Sequence, residues 1–138
     1  MRRQIGLLFV ATVLAVPLGS FAAQADSATV FKGTPQDDVI TGMVGPQIIY
    51  GRGGDDRING GKSPDVLYGG RGDDDLTTGK GGATEAAYGG QGDDLLKDFA
   101  SGQSPGLLVG GRGHDVCIGD KHDTFRTCEV VKFRAHAE

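Results

Sequence analysis

Apolar residues recur at nearly every ninth position of the chain, and the segments between them are rich in Gly and Asp. These positions are Ile40, Ile49, Ile58, Leu67, Leu76, Ala87, Leu96, Leu108 and Cys117. Because the glycines are periodic rather than scattered, the pattern favours a repeat structure over a flexible linker. We interpret each repeat as a turn of about six residues followed by a strand of about three, so that two repeats complete one coil.

The segment around each apolar residue follows the pattern G-G-x-G-x-D-x-U-x, in which U is the apolar position. The five better copies are 69–77 (GGRGDDDLT), 89–97 (GGQGDDLLK), 110–118 (GGRGHDVCI), 51–59 (GRGGDDRIN) and 33–41 (GTPQDDVIT). Four poorer copies alternate with them, at 42–50, 60–68, 78–88 and 98–109. We call the turns of the first group strong turns and those of the second group weak turns.

The strong turns are spaced to lie on one side of a stack. Their sixth-position aspartates recur after 18, 18, 20 and 21 residues and are Asp38, Asp56, Asp74, Asp94 and Asp115. Since one coil holds two repeats, the strong turns occupy one edge and the weak turns occupy the opposite edge. The U residues then face inward as a thin apolar column, which we expect Phe31 and Phe99 to support.

The composition and net charge of the chain exclude some classes of binding partner. The chain has 138 residues, enough for one domain, and 25 of them are Gly, a share far above the usual ~7%. Without Arg2 and Arg3 it has 12 basic and 18 acidic side chains, a net charge of −6. Such a charge repels nucleic acid and anionic lipid and suits a divalent cation. We therefore expect no nucleic-acid partner.

Residues 1–25 have the features of a signal peptide. A short basic start precedes an apolar run from Ile5 to Leu18, and Ala23-Gln24-Ala25 offers an A-x-A site, which predicts cleavage before Asp26. A signal anchor is the alternative, but the run is short for a membrane span. We predict a secreted protein whose mature chain does not insert into a membrane, with a repeat domain at 26–118 (repeats from 33) and a C-terminal cap at 119–138.

The chain contains two cysteines, Cys117 and Cys128. In an exported chain, two cysteines eleven residues apart favour one disulfide. The alternative is zinc ligation together with His114 or His122, but no paired C-x-x-C spacing is present.

The nonapeptides resemble those of the RTX (repeats-in-toxin) family, of the small secreted bacterial type, over residues 33–118. The resemblance implies an all-β parallel β-roll (β-solenoid), here of about five coils of 18–21 residues with a disulfide-closed C-terminal cap. It also implies calcium held between adjacent turns on the same side by alternate backbone carbonyls and Asp side chains. The matching carboxylates are those of Asp38, Asp56, Asp74, Asp94 and Asp115. The matching carbonyls belong to Gly54, Gly70, Gly72, Gly90, Gly92, Gly111 and Gly113.

Five strong turns leave four gaps, so we expect about three to four Ca²⁺ ions on that edge. The gap between Asp38 and Asp56 departs most from the pattern and is the first candidate to be empty. On the weak-turn edge Asp65 alone keeps the Asp, which predicts few or no ions there. Because stacked carboxylates repel without a cation, we expect the chain to fold on binding calcium after export. A metal-free, turn-rich repeat is the alternative reading of the same glycines.

The C-terminal segment departs from the repeat. Residues 119–127 are interpreted as a shortened turn and 128–133 as a final strand. Asp120 and Asp123 suit either a lesser cation site or a solvated loop.

We predict no enzyme. Arg71-Gly72-Asp73 spells an adhesion triplet but occupies ordinary repeat positions, and no acid–base pair stands apart from the repeats. One alternative function is a calcium-dependent interaction module in which Met43, Tyr50, Tyr68 and Tyr88 contact a polysaccharide, a cell wall or a protein, although a packed stack of tyrosines explains the same residues. Another is a small calcium-dependent carbohydrate-active enzyme.

Overall fold

The computed structural model describes residues 28–81, 85–100 and 104–134. The predicted signal peptide and its cleavage site lie outside the described residues. No helix within these three ranges has the length and apolar character needed to cross a membrane.

The described residues form twelve strands. They are β1 (Thr29–Lys32), β2 (Val39–Thr41), β3 (Gln47–Tyr50), β4 (Arg57–Asn59), β5 (Asp65–Arg71), β6 (Asp75–Thr77), β7 (Ala86–Gln91), β8 (Leu95–Lys97), β9 (Leu107–Arg112), β10 (Val116–Gly119), β11 (Thr124–Arg126) and β12 (Val130–Phe133). The odd strands form one six-stranded sheet and the even strands form a second. Every pairing is parallel, so the chain winds as a β-roll, which confirms the predicted fold class.

The roll has about six coils rather than five. The additional coil comes from the segment predicted as a cap, because β11 pairs with β9 and β12 pairs with β10 in the same parallel register. The final strand begins at Val130 rather than at Cys128. The segment therefore caps the roll by continuing both sheets.

The core is the predicted apolar column. Eight of the nine U residues are fully buried: Ile49, Ile58, Leu67, Leu76, Ala87, Leu96, Leu108 and Cys117. Ile40 and Phe31, in the first coil, are partly buried against the column. The expected support from Phe99 was wrong, because its side chain is 38% exposed and lies beneath the Arg134 guanidinium. Phe125 packs against the core in its place.

The C-terminal end is closed by the predicted disulfide, which is confirmed. Cys117 and Cys128 are bonded, so neither remains as a thiolate ligand for zinc. The Phe125 and Phe133 rings pack edge to face at 5.8 Å just beyond it. These contacts hold the last coil together, while β11 and β12 remain the end strands of the two sheets and Phe133 stays 66% exposed.

The outer faces of the two sheets differ. On the first sheet, the rings of Tyr50, Tyr68 and Tyr88 stack in a ladder with 4.8 Å between successive centroids. On the second sheet, Asp75 pairs with Arg57 at 3.7 Å and with Lys97 at 2.7 Å. The tyrosine ladder follows directly from the parallel register, which places the three residues side by side.

Candidate metal centre

The sixth-position aspartates of the strong turns form a continuous column along one edge of the roll. Each Asp immediately precedes the first residue of an even strand, so the parallel register stacks them. Four of the five are at most 2% exposed: Asp56, Asp74, Asp94 and Asp115. The structure thus brings all the predicted carboxylates to one edge.

Successive aspartates of this column are joined by hydrogen bonds from backbone to side chain. The backbone N–H of Asp56 donates to Oδ1 of Asp74 at 2.8 Å, and that of Asp74 donates to Oδ1 of Asp94 at 2.9 Å. The same bond joins Asp38 to Asp56 and Asp94 to Asp115. The column ends at Glu129, which accepts the N–H of Asp115 at 2.7 Å. One oxygen of each of the four buried carboxylates is therefore occupied by a hydrogen bond within the column.

The second oxygen of each buried carboxylate has no partner. Oδ2 of Asp56, Asp74, Asp94 and Asp115 is buried and accepts no hydrogen bond. Burial, together with the charges of neighbouring aspartates and against the opposing backbone hydrogen bonds, raises the pKa of Asp74 to about 7 and that of Asp94 to about 6. A buried, unpaired carboxylate is costly unless a cation compensates its charge. These unpartnered carboxylate oxygens are suited to bind a cation.

The glycines of the strong turns make room for carbonyl groups. Gly70, Gly72, Gly90 and Gly92 have φ between +115° and +133°, a region that side chains rarely adopt. A Cβ at Gly90 would overlap the carbonyl oxygen of Gly70, and a Cβ at Gly92 would overlap that of Gly72. Likewise, a Cβ at Gly111 would overlap the carbonyl oxygen of Gly90, and a Cβ at Gly113 would overlap that of Gly92. The second- and fourth-position carbonyls therefore face the next turn, where an ion between turns would need oxygen.

The first gap differs from the others. Oδ2 of Asp38 accepts the backbone N–H of Thr34 at 2.6 Å and its hydroxyl at 3.0 Å, so it is not left without a partner. In the next turn, Arg52 replaces the second glycine and adopts φ +91°, while Gly54 keeps φ +92° in the fourth position. This gap has fewer free oxygens than the three that follow.

Sequence reasoning missed a second acidic column on the same edge. The fifth-position aspartates Asp37, Asp55, Asp73 and Asp93 are exposed and stacked. Oδ1 of each accepts the N–H of the residue one coil later, ending with His114 at 2.8 Å. The repeated Asp-Asp pairs were the signal that could have revealed it. This column adds negative charge around the buried one.

The weak-turn edge also carries buried acids. Asp65 and Glu85 are each 1% exposed and occupy equivalent positions, directly before the paired Val66 and Ala86. Burial raises the pKa of Asp65 to about 6, and burial raises that of Glu85 to about 7 against the opposing effects of Thr78 and Gly81. Gln47 takes the same position one coil earlier, and its Oε1 accepts the N–H of Met43. Glu85 was not foreseen, because its turn contains inserted residues.

Asp120 and Asp123 lie in a turn that is closed by its own hydrogen bonds. Asp123 accepts the N–H groups of Gly106 and Asp120, and Asp120 accepts that of His122. Across the three described ranges, no three Asp, Glu, His or Cys side chains converge as a cluster that could hold a metal by side chains alone. A cation on this molecule would therefore draw part of its shell from backbone oxygen, as calcium readily does.

Comparison with known proteins found one matching family model. A model described as the RTX calcium-binding nonapeptide repeat (4 copies) matches residues 32–62 and 50–84. A search of curated proteins and a search of solved structures returned no match.

Proposed function

Because this chain carries RTX calcium-binding nonapeptide repeats, which imply a calcium-binding β-roll, we propose that it is a secreted protein that binds Ca²⁺ along its strong-turn edge. The proposed side-chain ligands are Asp38, Asp56, Asp74, Asp94 and Asp115. The proposed carbonyl ligands are those of Gly54, Gly70, Gly72, Gly90, Gly92, Gly111 and Gly113. The observation that carries the proposal is the row of buried Oδ2 atoms without a partner, on the edge formed by the turns that carry these carbonyls.

We further propose that calcium drives folding after export. Without a cation, four buried carboxylates stand in one column and repel each other. If extracellular calcium is about tenfold above a site's Kd, each ion stabilises the fold by about 1.4 kcal/mol. Three to four sites then contribute about 4–6 kcal/mol, which is comparable to the whole stability of a small domain. In a calcium-poor cytoplasm the same chain would lack this contribution.

The proposed stoichiometry is three to four ions. Three gaps, between the strong turns from 51–56 to 110–115, have unpartnered carboxylate oxygens on both sides. The first gap has a partnered Asp38 and the non-glycine Arg52, so it is the candidate for weak binding. Secretion rests on the basic start, apolar run and A-x-A site of residues 1–25.

A calcium titration of the purified protein tests the proposal, with circular dichroism for folding and calorimetry for stoichiometry. We expect a disordered spectrum in chelator, a β spectrum with calcium, and three to four ions per chain from the strong-turn edge. A folded spectrum that calcium leaves unchanged would refute the folding claim. A stoichiometry near eight would refute the assignment of the ions mainly to one edge.

A second candidate function is a calcium-dependent interaction module for an extracellular polysaccharide, cell wall or protein. The observation that favours it is the half-buried outer face of the first sheet, where Ile48, Val66 and Leu107 lie beside the tyrosine ladder. Tyr68 has both ring faces covered by its neighbours, which disfavours it as a stacking platform for sugars. Binding to insoluble polysaccharide and cell-wall material, measured with and without calcium, tests this function. Product analysis in the same samples tests for cleavage.

A further inference from the structure

Two buried carboxylates meet a hydroxyl on the weak-turn edge, in the turns that contain inserted residues. Glu85, Asp98 and Thr78 are each 1% exposed. The Thr78 hydroxyl donates to Oδ1 of Asp98 at 3.0 Å and also faces the Glu85 carboxylate. We call these three residues the Glu85 cluster. None of them belongs to a strong turn.

Most oxygens of the cluster lack a partner. Both Oε atoms of Glu85 and Oδ2 of Asp98 are buried without a hydrogen bond, although the Thr78 hydroxyl and Gly81 amide lie near Glu85. Oδ1 of Asp98 accepts the N–H of Ala100 as well as the Thr78 hydroxyl. Three carboxylate oxygens of the cluster are therefore buried without a hydrogen bond.

Glycines provide the space that these oxygens occupy. A Cβ at Gly81 would overlap Oε1 of Glu85, and a Cβ at Gly106 would overlap Oδ2 of Asp98. A side chain at either position would fill the region where the orphaned oxygens lie. The combination of orphaned acids and glycine-lined space matches that of the strong-turn edge, although the sequence pattern is lost.

The charges around the cluster are mainly negative. Asp65 faces Glu85, and Asp123 faces Asp98. Arg134 is the basic group whose charge acts on Asp98, but its guanidinium donates to the carbonyl of Ala100 and stacks over Phe99. Among the described residues, the ion pairs within 4 Å are those of Asp75 on the second sheet, and none involves the cluster. The charged groups that act on Glu85 and Asp98 thus include two further acids, Asp65 and Asp123, and one base, Arg134.

We propose that the Glu85 cluster binds one Ca²⁺ ion, so that the weak-turn edge holds a metal site outside the nonapeptide pattern. Glu85 and Asp98 supply carboxylate oxygens and Thr78 supplies its hydroxyl, all hard ligands suited to this cation. Calcium fits better than Mg²⁺, because calcium accepts irregular geometry and more ligands than an octahedron allows. The site uses no residue of the strong-turn edge, so it stands independently of the proposed function.

The test is a titration of the full protein with CaCl₂, read by calorimetry. Glu85→Gln and Asp98→Asn preserve size and the acceptor for Thr78 and Ala100 while removing the charge. Each should lower the stoichiometry by one ion per chain. Asp75→Asn, which alters an acid on the outer face of the second sheet, is the matched control and should leave the stoichiometry unchanged. An unchanged stoichiometry in both cluster variants would overturn the site.

A second pair of variants separates this site from the strong-turn edge. Asp74→Asn with Asp94→Asn should remove strong-turn ions and leave the ion of the Glu85 cluster. If the wild type binds a single ion that Glu85→Gln abolishes, the cluster is supported and the strong-turn proposal fails. If Glu85→Gln has no effect while the strong-turn variant loses ions, the cluster proposal fails. Should a cluster variant not fold, the calcium titration of Glu85→Asp decides, because a shortened ligand should weaken the binding of one ion and leave the strong-turn ions unchanged, whereas an unchanged titration would overturn the site.

Discussion

Replacing Asp74 and Asp94 together by Asn should remove most of the calcium-dependent stability of the roll. The two residues border three of the four gaps on the strong-turn edge, and their Oδ2 atoms have no protein partner. At calcium tenfold above Kd, three sites correspond to about 4 kcal/mol. For a domain of this size that is about 15–30 °C in Tm. The measurement is differential scanning calorimetry in calcium, with the stoichiometry from a titration.

The metal-free protein should respond differently to the same change. Asn retains the Oδ1 that accepts the N–H groups of Asp56 and Asp74, and it removes two buried charges. In metal-free buffer, the double variant should therefore have a folded fraction equal to or above that of the wild type. Asp73→Asn with Asp93→Asn is the matched control, because the Oδ1 atoms of these exposed aspartates also accept backbone N–H groups, those of Asp93 and His114 in the following coils. A double variant that keeps the full calcium-dependent gain, or that loses stability equally with and without calcium, would refute the assignment.

Three further predictions follow from the same structure. In metal-free buffer, the folded fraction should fall as pH rises from about 4 to 7. The folded pKa values of Asp74 (about 7) and Asp94 (about 6) lie above the ordinary value of 3.8, so the folded state holds the extra protons. A β signal in circular dichroism that grows with pH over this range would contradict this prediction. Gly92→Ala should lower the free energy of unfolding by about 1–3 kcal/mol, because alanine would have to adopt φ +133° and its Cβ would overlap the Gly72 carbonyl oxygen. Gly53→Ala should cost much less, because the nearest atom to its added Cβ lies at 3.8 Å. Denaturant unfolding measures both variants. Replacing both Cys117 and Cys128 by Ala should lower the free energy of unfolding by about 3 kcal/mol, because the disulfide closes a loop of eleven residues. The measurement is denaturant unfolding in calcium. A loss under 1 kcal/mol would show that the other contacts suffice to close the C-terminal end of the roll.

The coil and its core could be predicted because the nine-residue period fixes both. Each strand sends one residue inward, so the apolar position and its partner one coil later are determined by counting alone. Phe99 was assigned wrongly because it follows a strand rather than occupying a U position, and its exposure depends on Arg134, which is distant in sequence. The sixth coil was missed for a similar reason, since its pairing uses a segment without the glycine pattern.

The strong-turn carboxylates were predictable, whereas Glu85 was not found by counting forward from the glycines. Insertions shift the frame in the turn that precedes it. Counting backward from the buried residue recovers it, because Glu85 stands two residues before Ala87 just as Asp65 stands two before Leu67. Asp98 has no such signal, because it lies at the start of a long turn and reaches Thr78 only through the fold.

The two ladders of aspartates run in opposite directions along the strong-turn edge. Each N–H of the buried column donates to the coil on its C-terminal side, and Glu129 accepts the last one. Each N–H of the exposed column donates to the coil on its N-terminal side. In a stack governed by contacts between neighbours, an inner coil of this edge is therefore fixed from both sides.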